Sequence, residues 1–136
     1  IQGNRDALQG ALMNLATNAL KHGGDGVELS IELVRTGSRS LRLAFIDTGP
    51  GIQQEIVDRI FDPFFTTSSS GTGLGLAVVQ SVVLDHNGRI SVQSQPGEGS
   101  SFYLELPIVA VPDQVSAETK ETGASISLPI FRRAAV

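Results

Sequence analysis

The sequence predicts an α/β (α+β) domain, a two-layer sandwich in which a mixed β-sheet carries helices on one face. Three observations lead there. One N-terminal stretch repeats apolar residues at the spacing of a helix, and four later stretches alternate apolar and polar residues at the spacing of half-buried strands. Their order along the chain is helix, two strands, two helices, two strands, so each strand pair must share its buried face with helices supplied from the intervening segments.

From Arg5 to Lys21, Leu8, Leu12, Leu15 and Ala19 recur at helical spacing, and Gly23-Gly24 stops the run. Val27, Leu29, Ile31 and Leu33 then alternate with Glu28, Ser30 and Glu32, and Leu41, Leu43 and Phe45 repeat the pattern after a Thr36-Gly37-Ser38 turn, which predicts a hairpin. The loop DTGPG (Asp47 to Gly51) follows, then a short helix from Gln53 to Phe61. Asp62-Pro63 and the polar Thr66 to Ser70 form a loop into GTGLGLAVV (Gly71 to Val79), where a helix of about 14 residues begins near Leu74 and ends at Asn87-Gly88. Arg89 to Ser94 and Ser101 to Leu106 alternate as two more strands around the turn cluster QPGEGS. Residues 1–107 are thus expected to form the domain and 108–136 a flexible tail, in which the SISLPIF run leaves an edge strand open.

Composition bounds the function. In 136 residues, 40% are hydrophobic and 18% charged, as in a soluble globular domain. Ten basic against fourteen acidic residues give a net charge of −4, and no basic run exists, so no nucleic-acid partner is expected. No segment is apolar for the roughly 18 residues that a membrane-spanning helix requires, and the N-terminus lacks a signal-peptide plan, so the expected location is cytoplasmic with no direct membrane insertion. The full-length protein could be soluble or membrane-anchored. With no cysteine, disulfides and thiolate metal sites are excluded. The chain opens on Ile1 rather than Met, which suggests a piece of something longer.

The polar residues suggest a ligand. Asn14, Asn18 and Lys21 lie at i, i+4 and i+7 of the first helix, on a face offset by roughly 110–120° from the leucine stripe. Ala7 and Ala11 share that face and would leave room beside it. Amide oxygens suit a hard cation and the ammonium suits a phosphate, although a solvated helix face explains the same residues. Gly71, Gly73 and Gly75 would let backbone approach a phosphate or purine edge at a helix start. The spacing is neither the dinucleotide fingerprint nor a P-loop, for no Lys-Ser or Lys-Thr follows. Asp47 ends an apolar strand, where its carboxylate could accept from an exocyclic amine or only stabilise its turn.

Together, NLATNALKH (Asn14 to His22), DTGPGI (Asp47 to Ile52), IFDPFFTT (Ile60 to Thr67) and GTGLGL (Gly71 to Leu76) resemble the N, G1, F and G2 boxes of the sensor histidine kinases of two-component systems. GEGSSFYLELP resembles that family's closing segment, and the likeness covers about residues 3 to 107. The resemblance implies a Bergerat ATP-binding fold whose cofactors are ATP and Mg²⁺. It implies that Asn18 holds Mg²⁺ with Asn14 and Lys21 assisting, that Asp47 binds the adenine amine, and that Gly49, Gly51 and Ile52 shape the base pocket. Phe61, Thr66 and Thr67 would belong to a mobile lid, and Gly71, Gly73 and Gly75, with Thr72, Leu74 and Leu76, would close over the phosphates. His22 would lie near the nucleotide, or serve only as a cation at a helix end, and Ser100 completes the ATP-binding set. Many members carry a basic residue where this chain has Ser68, Ser69 and Ser70, and DPFFTTSSSGTGLGLAVV is similar to the nitrogen-regulation branch.

The implied activity is protein-histidine kinase, with no catalytic residue of its own in this stretch beyond the ATP site. Neither His22 nor His86 has the sequence context of the family's phosphoacceptor, so the implied partners are a histidine-containing dimerisation domain of the same kinase and a response regulator receiver domain. Related ATPases of the fold place a glutamate four residues before the metal-binding asparagine; here that position is Asn14, which cannot act as a base. A non-catalytic nucleotide-sensing or docking module of the same fold, or a Bergerat-type ATPase, stands as the alternative.

Overall fold

Helix α1 (Arg5–His22) starts where Asn4, in extended conformation, turns its side-chain oxygen back to accept from the Ala7 N–H at 3.1 Å. That cap satisfies one of the orphan donors of the first turn. Asp6 in the first turn and Lys21 in the last complement the helix dipole, and the Gly23 N–H closes on the Ala19 carbonyl. The computed structural model describes residues 3–66 and 71–109. Strands β1 (Leu29–Arg35) and β2 (Ser40–Asp47) follow, then α2 (Gln54–Val57), α3 (Gly75–Asp85), β3 (Arg89–Gln95) and β4 (Gly99–Pro107).

The sheet order is β1-β2-β4-β3, and all three pairings are antiparallel. The expected mixed sheet is corrected here. Strands β2 and β3 do run the same way, joined through α2 and α3, but β4 inserts between them and pairs antiparallel with both. Because opposed residues share a face, the register lines up apolar rows: Ile31, Phe45, Phe102 and Val92 in one, Leu33, Leu43, Leu104 and Ile90 in the next. On this face Phe45, Phe102, Leu104 and Leu106 join Ala11 and Leu15 of α1 and Val79 and Val83 of α3 in the core. The last row toward one end of the sheet breaks the pattern, for it reads Leu29, Asp47, Ser100 and Ser94. The opposite face is solvated and carries the exposed Arg42–Glu105 ion pair at 2.7 Å.

Two helices are shorter than the sequence suggests. The run from Gln53 to Phe61 is α-helical only over Gln54–Val57; beyond it, Arg59 N–H reaches Ile56 and Asp62 N–H reaches Arg59, so the chain continues in three-residue turns toward Asp62-Pro63. A residue before proline is pushed out of the α region, which stops the helix from propagating. Helix α3 spans 11 residues rather than about 14. It ends as Asn87-Gly88 foretold: Asn87 takes a left-handed φ of 56°, its N–H bonds Leu84, and the Gly88 N–H bonds Val83. The tail expected beyond residue 107 falls, from residue 110 on, outside the described residues, as does SISLPIF. Ile108 still donates its N–H to the Arg39 carbonyl at 2.7 Å.

His86, buried at the end of α3, ties that end to the start of α1. Its Nε2 accepts the Asn4 N–H at 2.9 Å and its Nδ1 lies 2.7 Å from the Val82 carbonyl. A backbone N–H can only donate, so the neutral tautomer carries its proton on Nδ1 and donates it to Val82. His86→Ala removes both bonds and leaves a hole, and urea unfolding is expected to show a loss of about 2–3 kcal/mol at unchanged m. A loss under about 0.5 kcal/mol would remove the clip from the account of how α1 is seated.

Candidate functional site

Where the apolar rows give way to Asp47 and Ser100, the domain opens a cavity of about 650 Å³. That is the size range of sites for drug-sized ligands and cofactors. Its floor is the sheet end, with Asp47, Ser100 and Phe102; one wall is the C-terminal half of α1, and the others are formed by residues between Pro50 and Ile56, by Phe65 and Thr66, and by the stretch from Gly71 to Leu76.

Asp47 sits on the floor at 9% exposure. Its Oδ1 accepts two backbone donors, the Gly49 N–H at 2.9 Å and the Ser100 N–H at 3.3 Å. These bonds orient the carboxylate. Oδ2 accepts no hydrogen bond among the described residues, and it is not sealed in protein, since no buried side-chain polar atom there lacks a partner. One carboxylate oxygen is therefore left to meet a donor in the cavity.

On α1, Asn14 and Asn18 are half-buried, and with Thr17 and the exposed Lys21 and His22 they line the same cavity. The face that carries them borders the cavity. Ala7 and Ala11 do not line it; Ala11 is taken into the core with Leu15, Val79 and Val83. His22 has its pKa lowered below 6.5, first by partial desolvation and second by the neighbouring Lys21 ammonium. It is therefore neutral at pH 7 and does not act as a fixed cation at the helix end.

The chain on the far side of the cavity is held at its base, where the Phe64 N–H donates to the Gly73 carbonyl at 2.9 Å. Helix α3 then starts at Gly75 behind Leu74, which supplies no side-chain cap. Among the described residues no side chain accepts from its first N–H groups, which belong to or adjoin the cavity-lining Gly75 and Leu76.

Of the residues expected at the site, Asn14, Asn18, Lys21, His22, Asp47, Gly51, Ile52, Thr66, Gly71, Thr72, Gly73, Gly75, Leu76 and Ser100 border this one cavity. Gly49, Phe61 and Leu74 do not. Gly49 stands behind Asp47 as a hydrogen-bond donor, Leu74 caps α3 at the surface, and Phe61 packs edge-on against Phe102 with ring centroids 6.5 Å apart. Thr67, like Ser68 to Ser70, lies outside the described residues. Phe65 takes the place expected of Phe61: it lines the cavity, with the Arg59 guanidinium 4.6 Å from its ring centroid. Thr17 and Gln53 were not anticipated. Thr17 stands four residues before Lys21, so helical spacing could have found it; Gln53 had no such signal.

The family described as histidine kinase-, DNA gyrase B-, and HSP90-like ATPase matches residues 3–110. The sensor histidine kinase ZraS of Escherichia coli (strain K12) is 43% identical over 108 residues, 79% of this chain and 23% of ZraS. The chain therefore spans about a quarter of the length of the curated relatives it matches first. Among solved structures, the mycobacterial sensor histidine kinase MprB superposes with a TM-score of 0.71 at 33% identity, over 77% of this chain and 72% of that one. Full-length ShkA in complex with AMPPNP superposes with a TM-score of 0.65 at 31% identity, over 78% of this chain and 22% of ShkA. The chain belongs to the histidine kinase-, DNA gyrase B- and HSP90-like ATPase family, and the relatives it matches within that family are sensor histidine kinases.

Proposed function

We propose that this chain is the catalytic domain of a sensor histidine kinase, binding Mg-ATP and delivering the γ-phosphoryl group to a histidine on a separate dimerisation domain of the same kinase, from which a response regulator receiver domain takes it. The observation that carries this reading is the floor carboxylate of Asp47, one oxygen saturated by backbone and the other turned to a cavity whose wall bears two amides and an ammonium. That pairs a purine-amine acceptor with a phosphate-binding wall across one space. Full-length ShkA, which shares this fold, is solved in complex with the ATP analogue AMPPNP.

In this reading Asp47 anchors the base, and the triphosphate runs between α1 and the start of α3. Lys21 offsets phosphate charge, and the uncapped first N–H groups of α3 receive phosphate oxygens. Magnesium fits the donor set: Asn14 and Asn18 offer neutral amide oxygens, and among the described residues no group of three or more acidic or histidine side chains forms a metal cage. An ion held there would draw most of its ligands from phosphates and water, and when bound it neutralises charge on the phosphates. Among the described residues Asp47 is the one carboxylate that lines the cavity, and it is committed to the floor. No carboxylate on the described wall is therefore left free to activate water at the phosphate end, whereas an imidazole is already a nucleophile and requires only positioning. This favours transfer to histidine over hydrolysis.

Calorimetric titration with a non-hydrolysable ATP analogue is expected to give roughly micromolar to millimolar affinity that depends on Mg²⁺. No binding by the folded chain would overturn the proposal. His22 supplies a second readout. Its neutral form is favoured in the free domain, so its NMR titration midpoint lies below 6.5, and a polyphosphate bound nearby is expected to move that midpoint upward. In the free domain the sign is fixed: the unfolded chain binds more protons at this residue, so any contribution is present above pH 6.5 and lost as pH falls below it.

A further inference from the structure

Ser94 does not line the cavity, yet it is hydrogen-bonded to the floor residue Ser100 and to the wall residue Ile52, which do. It is buried at 8% exposure near the end of β3, opposite Ser100. Its Oγ accepts the Ile52 N–H at 2.7 Å, lies 3.0 Å from the Gly99 carbonyl oxygen, and lies 2.8 Å from the Ser100 Oγ. Its own carbonyl accepts from Gln54 Nε2 at 2.7 Å. The 50–56 loop, the turn before β4 and the cavity-lining Ser100 thus meet on one hydroxyl.

A count of protons fixes the direction of these bonds. A serine hydroxyl has one proton and two lone pairs. The Ile52 N–H must donate, so it occupies one lone pair. An approach of 3.0 Å between Ser94 Oγ and a carbonyl oxygen requires a hydrogen between them, and only Ser94 can supply it. Its remaining lone pair then receives the Ser100 hydroxyl proton. The opposite arrangement would leave two oxygens facing each other without a proton and an empty lone pair on a buried hydroxyl. Ser100, which lines the cavity, accordingly commits its hydroxyl proton to Ser94 and keeps only lone pairs for any other partner.

We infer that Ser94 is a positioning residue for base selection: by holding the Ser100 proton away, it leaves the floor with acceptors only, Asp47 Oδ2 and Ser100 Oγ, and so selects 6-aminopurines over 6-oxopurines. The inference rests on the purine-nucleotide reading above. Without the Ser94 hydroxyl, the Ser100 proton is free to rotate into the cavity, where it can donate to a 6-carbonyl. Selection then weakens even while the nucleotide still binds.

The test compares non-hydrolysable ATP and ITP analogues, each with Mg²⁺, on the 136-residue chain and on Ser94→Ala, Ser94→Cys and Ser94→Thr. The wild-type chain is expected to favour the ATP analogue by on the order of 100-fold or more, as sites that hydrogen-bond their substrate do. Ser94→Ala should lower that ratio at least about tenfold, with Ser94→Cys between. Ser94→Thr, which keeps the hydroxyl, should stay within about threefold of wild type. General loosening of the fold would weaken both ligands together and leave the ratio unchanged, so the ratio separates positioning from stability. If Ser94→Ala does not fold by far-ultraviolet circular dichroism, the Cys and Thr variants decide. An unchanged ratio in the folded Ala or Cys variant overturns this inference alone. Absence of ATP-analogue binding by the wild type overturns the nucleotide reading and this inference with it.

Discussion

Asp47→Asn is expected to lower affinity for an ATP analogue by at least about 100-fold while leaving the fold in place. The change is nearly isosteric, and the surrounding backbone dictates which way the new amide turns. Gly49 and Ser100 both aim N–H groups at the inner oxygen, so the carbonyl of the introduced asparagine must take that place, and its NH₂ must face the cavity. Flipping it would oppose one donor to two others. A base amine then meets a donor where it met an anionic acceptor. Losing a charge-assisted bond costs about 1.5–3 kcal/mol and opposing two donors costs about 1–3 more, which together amount to a factor from about 100 to on the order of 10,000. Asp47→Ala should abolish binding as well, but it also leaves two buried N–H groups without an acceptor and should lower stability by about 1–3 kcal/mol. Calorimetry beside urea unfolding separates the two variants. Asp47→Asn binding within about threefold of wild type would show that this carboxylate does not read the ligand.

Much of the fold was legible because each element buries one face against the others. The alternation in ELSIEL and LRLAF and the helical recurrence of Leu8, Leu15 and Ala19 report directly on burial, and burial is what the sheet and helices satisfy. Strand order was not legible in the same way. Whether β2 and β3 lie side by side or admit β4 between them is a long-range choice, and the same alternating pattern serves either arrangement. The end of α2 was visible in principle at Asp62-Pro63, but the three-residue turns that bridge the gap have no pattern of their own. At the site, residues that project from a helix or a strand end were found by spacing. Phe61 and Phe65 were exchanged because a chain with no regular period does not announce which aromatic ring turns inward. Ser94 was missed for a sharper reason. In RISVQSQ it reads as one of several solvated strand positions, and only its register opposite Ser100, itself opposite Asp47, buries it under the floor.

That register also predicts the most damaging small substitution. Gly99→Ala is expected to destabilise the domain by at least about 3 kcal/mol and to remove nucleotide binding with it. Gly99 opens β4 with φ of +93°, where any Cβ is strained, and the Cβ added there would lie 2.0 Å from the Asp47 carbonyl oxygen and 3.2 Å from the Thr48 Cα. Those neighbours are backbone of β2 and the loop after it, so relief requires moving the strand end that carries Asp47. The same displacement pulls the Ser100 N–H from Asp47 Oδ1 and the Gly99 carbonyl from Ser94, so the floor loses its order together with the fold. For a domain of this size about 3 kcal/mol corresponds to a melting temperature lower by roughly 12–24 °C. Gly97, two residues earlier in the same turn, supplies the control: its φ is +83°, but a Cβ there meets nothing within 4 Å. Gly97→Ala therefore isolates the conformational cost, about 1 kcal/mol and roughly 4–8 °C, and should retain binding. Equal melting temperatures for the two variants would mean that strain alone acts at Gly99 and that the contact with the Asp47 backbone yields without cost; a wide gap, with binding lost only in Gly99→Ala, ties the stability of the β2–β4 junction to the shape of the nucleotide floor.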